Sequence, residues 1–234
     1  MVGPDGTPAV LKIQNPDHES EHEAAALAYW AGDGAVRLLD HDPVSHALLI
    51  ERCEPGQPLS TVDAAQALDV FVALLPRLWR PAGPPFTTLA AEAARWCANL
   101  PDEWMQAGRP FPRKLLDAAA ETLRDLAASQ GDAVLLHQDL HADNVLRATR
   151  EPWLAIDPKP LLGEREFGIA PVVRSAEMGH SRTAVRYRFD RLTAELGLDR
   201  ERARGWVFGQ TLAWAFDGDG AVIPGHLDVV RWMQ

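Results

Sequence analysis

The stretch that decides the fold reads Leu135-Leu136-His137-Gln138-Asp139-Leu140-His141-Ala142-Asp143-Asn144-Val145-Leu146, and Trp153-Leu154-Ala155-Ile156-Asp157-Pro158-Lys159 follows it. The apolar run Ala133–Leu136 predicts a strand that ends at a cluster of polar residues. The runs Val145–Ala148 and Trp153–Ile156 predict a hairpin around Arg150-Glu151. A hairpin brings the end of its second strand back beside the start of its first. We therefore expect Asp157 to lie close to Asn144.

The spacing within this stretch fits the chemistry of phosphoryl transfer from ATP. Such a reaction needs a carboxylate that orients the acceptor hydroxyl or takes its proton, and oxygen ligands for Mg²⁺, which neutralises developing charge. Asp139 follows the first strand and can act on the hydroxyl. Asn144, five residues later, and Asp157, at the end of the hairpin, can ligate the metal. The pattern His-x-Asp-x-x-x-x-Asn with a later strand-end aspartate is the spacing of the kinase catalytic loop and its metal site.

Other interpretations of the same stretch stay open at this point. A lone His-x-Asp pattern is common, and turn chemistry alone places aspartate and asparagine in polar loops between strands. A metal hydrolase could also use His137, Asp139, His141 and Asp157 as ligands, because alternate residues of an extended segment face the same side. The hydrolase interpretation gives no role to Lys12 and does not explain the two-part organisation of the chain.

Lys12 supplies the second part of the kinase pattern. It lies in Ala9–Ile13, which predicts a short strand, and kinases use a lysine in such a strand to pair the ATP phosphates. A helix is predicted over Glu19–Trp30, and Glu19, Glu21 and Glu23 lie at its start, where one of them can hold the lysine. An isolated strand lysine is usually a solvated edge charge. The position of Lys12 ahead of an acidic helix and of the His-x-Asp loop favours the functional role.

The chain divides into a small strand-rich front and a larger helical back. Its 234 residues suit one large domain or two small ones. Strands are predicted at Ala35–Asp40 and Ala47–Glu51, and Glu54–Pro58 has the composition of a linker. This boundary places a partial N-lobe at residues 1–57 and a C-lobe at residues 58–234. Predicted helices occupy most of the C-lobe, namely Val62–Trp79, Phe86–Leu100, Arg113–Ser129 and most of Ile169–Gln234, with breaks at Pro81, Pro84-Pro85, Pro101 and Pro110.

Composition and charge argue against several classes of protein. The chain carries 33 acidic and 23 basic residues, a formal net charge of −10. This balance argues against a nucleic-acid backbone or an anionic membrane as the partner. No run of about 18 apolar residues predicts a transmembrane helix, and the first residues lack the features of a signal peptide. Cys53 and Cys97 lack metal-binding spacing, so we expect free thiols and a cytoplasmic protein.

The sequence resembles the aminoglycoside phosphotransferases, and within them the streptomycin phosphotransferases, also called aminoglycoside/hydroxyurea resistance kinases. The octapeptide His137–Asn144 resembles their HGDLHxxN loop. The resemblance implies an α+β, protein-kinase-like two-lobed fold, with an abbreviated antiparallel N-lobe and a mainly α-helical C-lobe. It also implies a monomeric enzyme that uses ATP and Mg²⁺ to phosphorylate a hydroxyl of an aminoglycoside such as streptomycin, and so confers resistance. Further similar segments are Thr7–Lys12, Glu21–Leu27, Leu49–Gly56 and Pro152–Lys159.

The resemblance assigns roles to the positions that match the family's motifs. Asp139 matches the catalytic aspartate, and Asn144 and Asp157 match the metal ligands. The remaining matched positions bind the nucleotide or hold a residue that does. They are Lys12 for the phosphates, its partner Glu23, and Glu51 and Cys53 in the hinge Leu49–Cys53, which holds adenine through backbone hydrogen bonds.

Three departures from the family favour an alternative, a catalytically impaired kinase-like remnant that binds ligand weakly or not at all. The family begins with a strand, a glycine-rich loop and a second strand, whereas this chain shows only the turn Gly3–Gly6. We therefore expect an N-terminally truncated lobe that lacks the glycine-rich loop. Gln138 replaces a glycine, a residue that tolerates unusual backbone conformations. Gly168 stands where the family has an aspartate that braces the catalytic loop, and Glu166 is close but not equivalent.

Weaker signals concern recognition of the antibiotic. Glu177, Asp217 and Asp219 lie in the predicted helical back and could meet a cationic substrate. Such residues more often form a solvated acidic surface. Most of the net negative charge lies before Ser60, away from the place where the substrate should bind.

Overall fold

The computed structural model describes residue 6, residues 8–14 and residues 17–234, so most of the predicted turn at residues 3–6 lies outside the described residues. The strands are β1 (Ala9–Ile13), β2 (Leu38–Asp42), β3 (Ala47–Glu51), β4 (Thr87–Thr88), β5 (Ala133–Leu136), β6 (Val145–Arg147), β7 (Trp153–Ala155) and β8 (Leu161–Glu164). The helices are α1 (Glu23–Trp30), α2 (Ala64–Leu78), α3 (Leu89–Gln106), α4 (Arg113–Ala128), α5 (Ala170–Arg174), α6 (Arg182–Glu195), α7 (Arg200–Ala213) and α8 (Pro224–Met233).

The front lobe is an antiparallel sheet with the strand order β1-β3-β2, accompanied by α1. Lys12 of β1 pairs with Leu48 of β3, which fixes the register of the lysine strand. Leu27 and Trp30 of α1 are fully buried, whereas Ile13 on β1 is exposed. Trp30 Nε1 donates to the Leu78 carbonyl at the end of α2 over 3.0 Å, so the buried face of α1 also anchors the helix on the back lobe.

Two predicted boundaries in the front lobe are wrong by a few residues. The helix predicted from Glu19 begins at Glu23, because the Asp17 carboxylate accepts a hydrogen bond from the amide of Glu19 and holds a turn there. The strand predicted from Ala35 is β2, which begins later. Ala35 itself bridges to Ala155 of β7, so this segment pairs with the other lobe instead of extending the front sheet.

Long helices build the back lobe around a continuous apolar core. Asp63 and Thr88 cap α2 and α3, since their side chains accept hydrogen bonds from amides of the first turn. α3 runs to Gln106, so the break predicted at Pro101 is wrong. A proline removes one helical hydrogen bond, but the buried side chain of Trp104 continues the apolar face of α3 past it. Packing of that face outweighs the lost bond.

The hairpin of β6 and β7 joins the two lobes. The carbonyl of Ala155 on β7 accepts a hydrogen bond from the amide of Val36 over 3.0 Å, and its amide donates to Gly34 over 2.9 Å, both in the loop after α1. The amide of Arg147 on β6 donates to Gln57 over 2.8 Å, and its carbonyl accepts from Gly56 over 3.0 Å. The predicted linker is therefore bonded along its length to the hairpin.

These elements confirm the predicted α+β fold, with a strand-rich front and a mainly helical back. β5 carries the His137 loop at its end and pairs antiparallel with β8, a strand that the sequence did not indicate. β4 completes that sheet by pairing in parallel with β8. Within the described residues, no helix combines the length and the apolar character needed to cross a membrane.

Candidate active site

Lys12 on β1 is the centre of a charged cluster between the lobes. Its ammonium nitrogen lies 2.7 Å from Glu23 Oε2 on α1 and 2.8 Å from Asp157 Oδ1 just after β7. Burial disfavours the charged ammonium, but the Glu23 charge and the Asp157 hydrogen bond outweigh burial and raise the pKa of Lys12. Three residues from distant parts of the sequence therefore meet in one place.

The loop after β5 places Asp139 through an unusual backbone turn. Gln138 has a φ of 62°, in the left-handed region that glycine adopts most easily. Its side chain is buried, and its Nε2 has no hydrogen-bond partner among the described residues. The amide of Asp139 donates to the His137 carbonyl over 2.8 Å and closes the turn. The unusual conformation suggested by the family's glycine is present here, and glutamine adopts it.

Asn144 and Asp157 come together as the hairpin predicts. The amide of Ile156, the residue before Asp157, donates to the Asn144 carbonyl over 3.0 Å. The Asn144 side chain donates from Nδ2 to the Asp139 carbonyl over 2.9 Å, so its Oδ1 faces away from that bond. A carboxylate oxygen and an amide oxygen are hard ligands of the kind that Mg²⁺ takes. The donor set at this place therefore fits a magnesium ion.

Two cations flank the Asp139 carboxylate. Arg174 lies 3.4 Å from Oδ1 and Lys159 lies 3.6 Å from Oδ2. Burial lowers the pKa of Arg174 to about 10, so its guanidinium is still charged at neutral pH. Arg174 and Lys159 also lie 4.2 Å and 4.8 Å from the centre of the Trp214 ring. Sequence reasoning missed Arg174 and Trp214 because no motif marks them, and it gave Lys159 no role although the decisive stretch contains it.

His137 supports the catalytic loop from within the core. Its Nε2 donates to the Ile156 carbonyl over 2.9 Å, and its ring stacks on Trp30 with centroids 6.1 Å apart. Burial lowers the pKa of His137 to about 4, so the ring is neutral at pH 7. The metal-hydrolase interpretation needs His137 as a ligand beside Asp139, but these two belong to no common cluster of ligand atoms in the described part of the chain. The structure therefore does not favour that interpretation.

Glu51 and Cys53 stand at the end of β3, where the adenine-binding hinge is predicted. The Glu51 carboxylate accepts hydrogen bonds of 2.8 Å from Nε and Nη2 of Arg150 and one of 3.0 Å from the Arg37 amide. Burial acts to raise the pKa of Glu51, but the bonds to Arg150 outweigh it and lower the pKa. Burial raises the pKa of the Cys53 thiol to about 11. Contact with adenine would thus come from the backbone, where the Cys53 amide has no partner among the described residues.

Comparison with known proteins identifies the family. Aminoglycoside/hydroxyurea antibiotic resistance kinases match the chain over residues 1–219. The protein belongs to this family. Streptomycin 6-kinase from Streptomyces griseus is 41% identical in an alignment 238 residues long, which covers 97% of this kinase and 77% of that protein. Hydroxyurea phosphotransferase from Kitasatospora aureofaciens is 42% identical in an alignment 235 residues long, which covers 96% of this kinase and 67% of that protein.

Solved structures confirm the protein-kinase-like fold of the kinase. Choline kinase LicA from Streptococcus pneumoniae superposes with a TM-score of 0.67 at 13% identity, covering 96% of this chain and 85% of that one. A thermostable mutant of aminoglycoside phosphotransferase APH(4)-Ia, in its apo form, gives a TM-score of 0.60 at 18% identity, covering 97% and 84%. At these identities the likeness concerns the fold alone.

The three acidic residues suggested for a cationic substrate occupy two different places in the kinase. Glu177 accepts a hydrogen bond of 2.8 Å from the Ala142 amide, and its carboxylate lies 2.8 Å from His141 Nδ1. Burial acts to lower the pKa of His141, but Glu177 outweighs burial and raises it. Asp217 and Asp219 lie on an exposed turn between α7 and α8, where the Asp217 carboxylate accepts from the Asp219 amide. Glu177 therefore braces the catalytic loop, whereas Asp217 closes a surface turn.

Gly168 packs against the indole of Trp79. A Cβ atom at Gly168 would lie 2.6 Å from Trp79 Nε1, so this kinase has no space for the bracing aspartate that the resemblance places there. Glu166 does not replace it, because its carboxylate accepts from the Asp199 amide over 3.4 Å. The contact of Glu177 with the loop provides a brace from a different direction.

Proposed function

We propose that this kinase transfers the terminal phosphoryl group of ATP to a hydroxyl of an aminoglycoside such as streptomycin, and so confers resistance. The observation that carries the proposal is the convergence of Lys12, Asp139, Asn144 and Asp157 between the two lobes. The relatives support the acceptor class, since two of them are named as a streptomycin 6-kinase and a hydroxyurea phosphotransferase.

Lys12 would pair the phosphates, and Asn144 and Asp157 would hold Mg²⁺. A metal held by these two side chains would neutralise the negative charge that develops on the phosphates during transfer. Because Asp157 Oδ1 lies 2.8 Å from the Lys12 ammonium, binding of nucleotide and metal requires that Lys12 exchange this partner for phosphate oxygens. Glu23, 2.7 Å away on the other side, keeps the lysine in place during the exchange.

Asp139 would orient the acceptor hydroxyl and receive its proton. Catalysis of this kind depends mainly on positioning and on charge neutralisation. The turn at Gln138 and the bond from Asn144 to the Asp139 carbonyl support this role, because they hold the backbone at Asp139 in place. Lys159 and Arg174 add positive charge beside it, at a place where the transferred phosphoryl group brings negative charge.

The test is acceptor-dependent release of ADP by the purified protein in the presence of Mg-ATP. We expect release with streptomycin, or with another member of an aminoglycoside panel, and a product heavier by one phosphoryl group in mass spectrometry. Asp139→Asn should lower the rate by at least about 100-fold, the scale of a lost general base. Asp132→Asn, which alters an exposed aspartate outside this site, is the matched control and should keep the rate.

The remnant alternative makes the opposite prediction for the same assay. A remnant releases no ADP above background with any acceptor, and its Asp139→Asn variant behaves as the unaltered protein does. The assembled cluster around Lys12 supports the enzyme, because a lysine held between two carboxylates is kept ready for phosphates. A monomeric state and a cytoplasmic location stay predictions.

A further inference from the structure

Arg188 on α6 is one of the largest side chains that the core encloses completely, since only 1% of it is exposed. Its guanidinium donates four hydrogen bonds, all of them to backbone carbonyls. The acceptors lie in residues 173–179, the connecting segment that leads from the end of α5 toward α6. Nη1 donates to Met178 over 3.1 Å and to Gly179 over 2.7 Å, and Nη2 donates to Val173 over 2.9 Å and to Ser175 over 2.8 Å.

These carbonyls also stabilise the buried charge of Arg188. Burial lowers the pKa of Arg188 to about 10, so the guanidinium is charged at pH 7, and Glu177 is the one described residue whose charge opposes this effect. A buried charge is unfavourable unless hydrogen bonds surround it. The last carbonyls of a helix, such as that of Val173 in α5, have no amide partner within the helix and can accept these bonds. The arginine and the connecting segment therefore depend on each other.

The connecting segment carries two side chains that contact the catalytic loop. Arg174 lies 3.4 Å from Asp139 Oδ1. Glu177 accepts a hydrogen bond of 2.8 Å from the Ala142 amide, and its carboxylate lies 2.8 Å from His141 Nδ1. The segment therefore holds the loop at two points, one at the proposed catalytic aspartate and one shortly after it.

The arginine of α6 bonds to the backbone beside both of these contact residues. The carbonyls of Val173 and Ser175 flank Arg174, and that of Met178 directly follows Glu177. Glu177 lies in a turn after the end of α5, so helical geometry does not set its position. The bonds from the guanidinium thus determine how the two side chains approach the loop.

We propose that Arg188 is a positioning residue for phosphoryl transfer, which holds the connecting segment so that Arg174 and Glu177 support the catalytic loop. The proposal rests on the phosphotransferase function proposed above, because the loop carries Asp139. Arg188 acts through the segment, since its own guanidinium is bonded to backbone carbonyls. A lysine would not replace it, because an ammonium concentrates its donors on one atom, whereas a guanidinium presents them in a fixed planar set.

Amide hydrogen exchange of the nucleotide-free protein tests this role without any need for activity. In Arg188→Lys, the loop that contains the Ala142 amide should exchange faster by at least about tenfold, the scale of one lost hydrogen bond. The reason is that the Ala142 amide loses its acceptor on Glu177. Exchange in α7 should stay as in the unaltered protein. Arg186→Lys changes an exposed arginine on the same helix and should leave exchange unchanged throughout.

Turnover with Mg-ATP and streptomycin gives a second measure. Arg188→Lys should lower kcat by at least about tenfold, the scale of one hydrogen bond lost in the transition state. It should leave the KM for ATP unchanged, because the residues proposed to bind the nucleotide lie outside the connecting segment. In a protein that already carries Arg174→Lys and Glu177→Gln, adding Arg188→Lys should change kcat by less than about twofold, since residues that act as one unit are not additive. A general loss of structure would not depend on those two changes.

The comparison of variants decides the outcome. Equal loop exchange and equal kcat in Arg188→Lys and Arg186→Lys overturn the proposal. It is also overturned if Arg188→Lys keeps its full effect on kcat after Arg174 and Glu177 have been changed. Arg188→Gln, whose amide still donates hydrogen bonds, is made in parallel, and loss of cooperative unfolding in both Arg188 variants overturns the proposal, because Arg188 then supports the whole lobe. If the unaltered protein transfers no phosphate to any acceptor, the proposed function fails, while loop exchange still decides on Arg188.

Discussion

Arg150 holds the front lobe to the catalytic hairpin, and Arg150→Ala is the change that tests this most directly. The guanidinium donates to both carboxylate oxygens of Glu51 over 2.8 Å. It also donates to the carbonyls of Gly32 and Ala35 over 2.8 Å and 3.1 Å. Glu51 lies at the predicted hinge, and the other two acceptors lie in the loop that pairs with β7. Removal of one side chain therefore releases contacts from the hinge and from the loop at once.

The expected loss of stability in Arg150→Ala follows from the Glu51 carboxylate that remains in the variant. The Glu51 side chain is only 10% exposed, so Arg150→Ala leaves a buried carboxylate without its cation. Breaking such a pair from one side costs about 3–5 kcal/mol. The Arg150 side chain is 22% exposed, and solvent screening reduces the interaction, so we expect a loss of about 3 kcal/mol in the free energy of unfolding at pH 7.

The pH dependence of the free energy of unfolding identifies Glu51 as the cause of the loss of stability in Arg150→Ala. In the unaltered protein the pKa of Glu51 is lowered from its ordinary value of 4.5. Its ion pair therefore stabilises the fold above that value, and this stability is lost as the pH falls through the lowered pKa. In Arg150→Ala the buried carboxylate keeps only the Arg37 amide and the weaker effect of the Arg37 charge, so its pKa rises and its ionisation no longer stabilises the fold. The difference between the two proteins should be small in acid and should grow toward pH 7.

Urea unfolding at several pH values measures this difference, and Glu51→Gln completes a double-mutant cycle. The double variant Arg150→Ala, Glu51→Gln should be more stable at neutral pH than Arg150→Ala alone, because no buried charge is left unpaired. The reasoning is refuted if the loss in Arg150→Ala is the same at acidic and neutral pH, or if Glu51→Gln does not recover stability. Either result would mean that Arg150 acts through its hydrogen bonds to the Gly32 and Ala35 carbonyls or through packing of its aliphatic stem.

Three further changes test the catalytic loop and its surroundings. Gln138→Gly should raise the free energy of unfolding by about 1 kcal/mol in urea titrations, because it relieves a left-handed backbone at a residue with a side chain; a clear loss would show that packing of the buried Gln138 side chain outweighs this relief. Gly168→Asp should destabilise by about 1–3 kcal/mol, since its Cβ would lie 2.6 Å from Trp79; an unchanged melting temperature contradicts this. The folded pKa of His137 is lowered from 6.5 to about 4, so its neutral form stabilises the fold above pH 6.5 and this stability is lost as the pH falls toward 4. His137→Gln should therefore lose less stability than the unaltered protein between those pH values in thermal melts, and an equal loss assigns the slope to other groups.

The sequence predicts those strands and helices that form because of the residues within them and the turns beside them. Alternation and turn residues mark β1, β3 and the β6–β7 hairpin, and helical periodicity marks α2, α3 and α4. The errors arise where a contact with a residue distant in the sequence determines the local structure. α3 continues past Pro101 because its buried face packs on the core, and Ala35 leaves the front sheet because it pairs with Ala155. A pattern read along the chain contains neither of these partners.

The residues of the candidate site also divide into those that a local motif predicts and those that only tertiary packing places. Asp139, Asn144 and Asp157 stand in one motif, so their approach follows from a single hairpin. Arg174 belongs to no motif, and its place beside Asp139 results from the packing of α5 against α7, where Gln210 accepts a hydrogen bond of 2.7 Å from the guanidinium. Arginine is common in this chain, which contains only three lysines among its 23 basic residues. Nothing local therefore distinguishes this arginine from the others.

Charge balance joins the strand that carries Lys12 to the hairpin that carries Asp157. One ammonium, that of Lys12, lies between the carboxylates of Glu23 and Asp157, so this group of three carries a net negative charge. The excess lies on Asp157, the residue proposed as a metal ligand and the more exposed of the two carboxylates. A divalent cation with the phosphates it carries would supply positive charge to Asp157 and acceptors to Lys12. The strand lysine and the hairpin aspartate are therefore parts of one electrostatic unit, and each depends on the charge of the other.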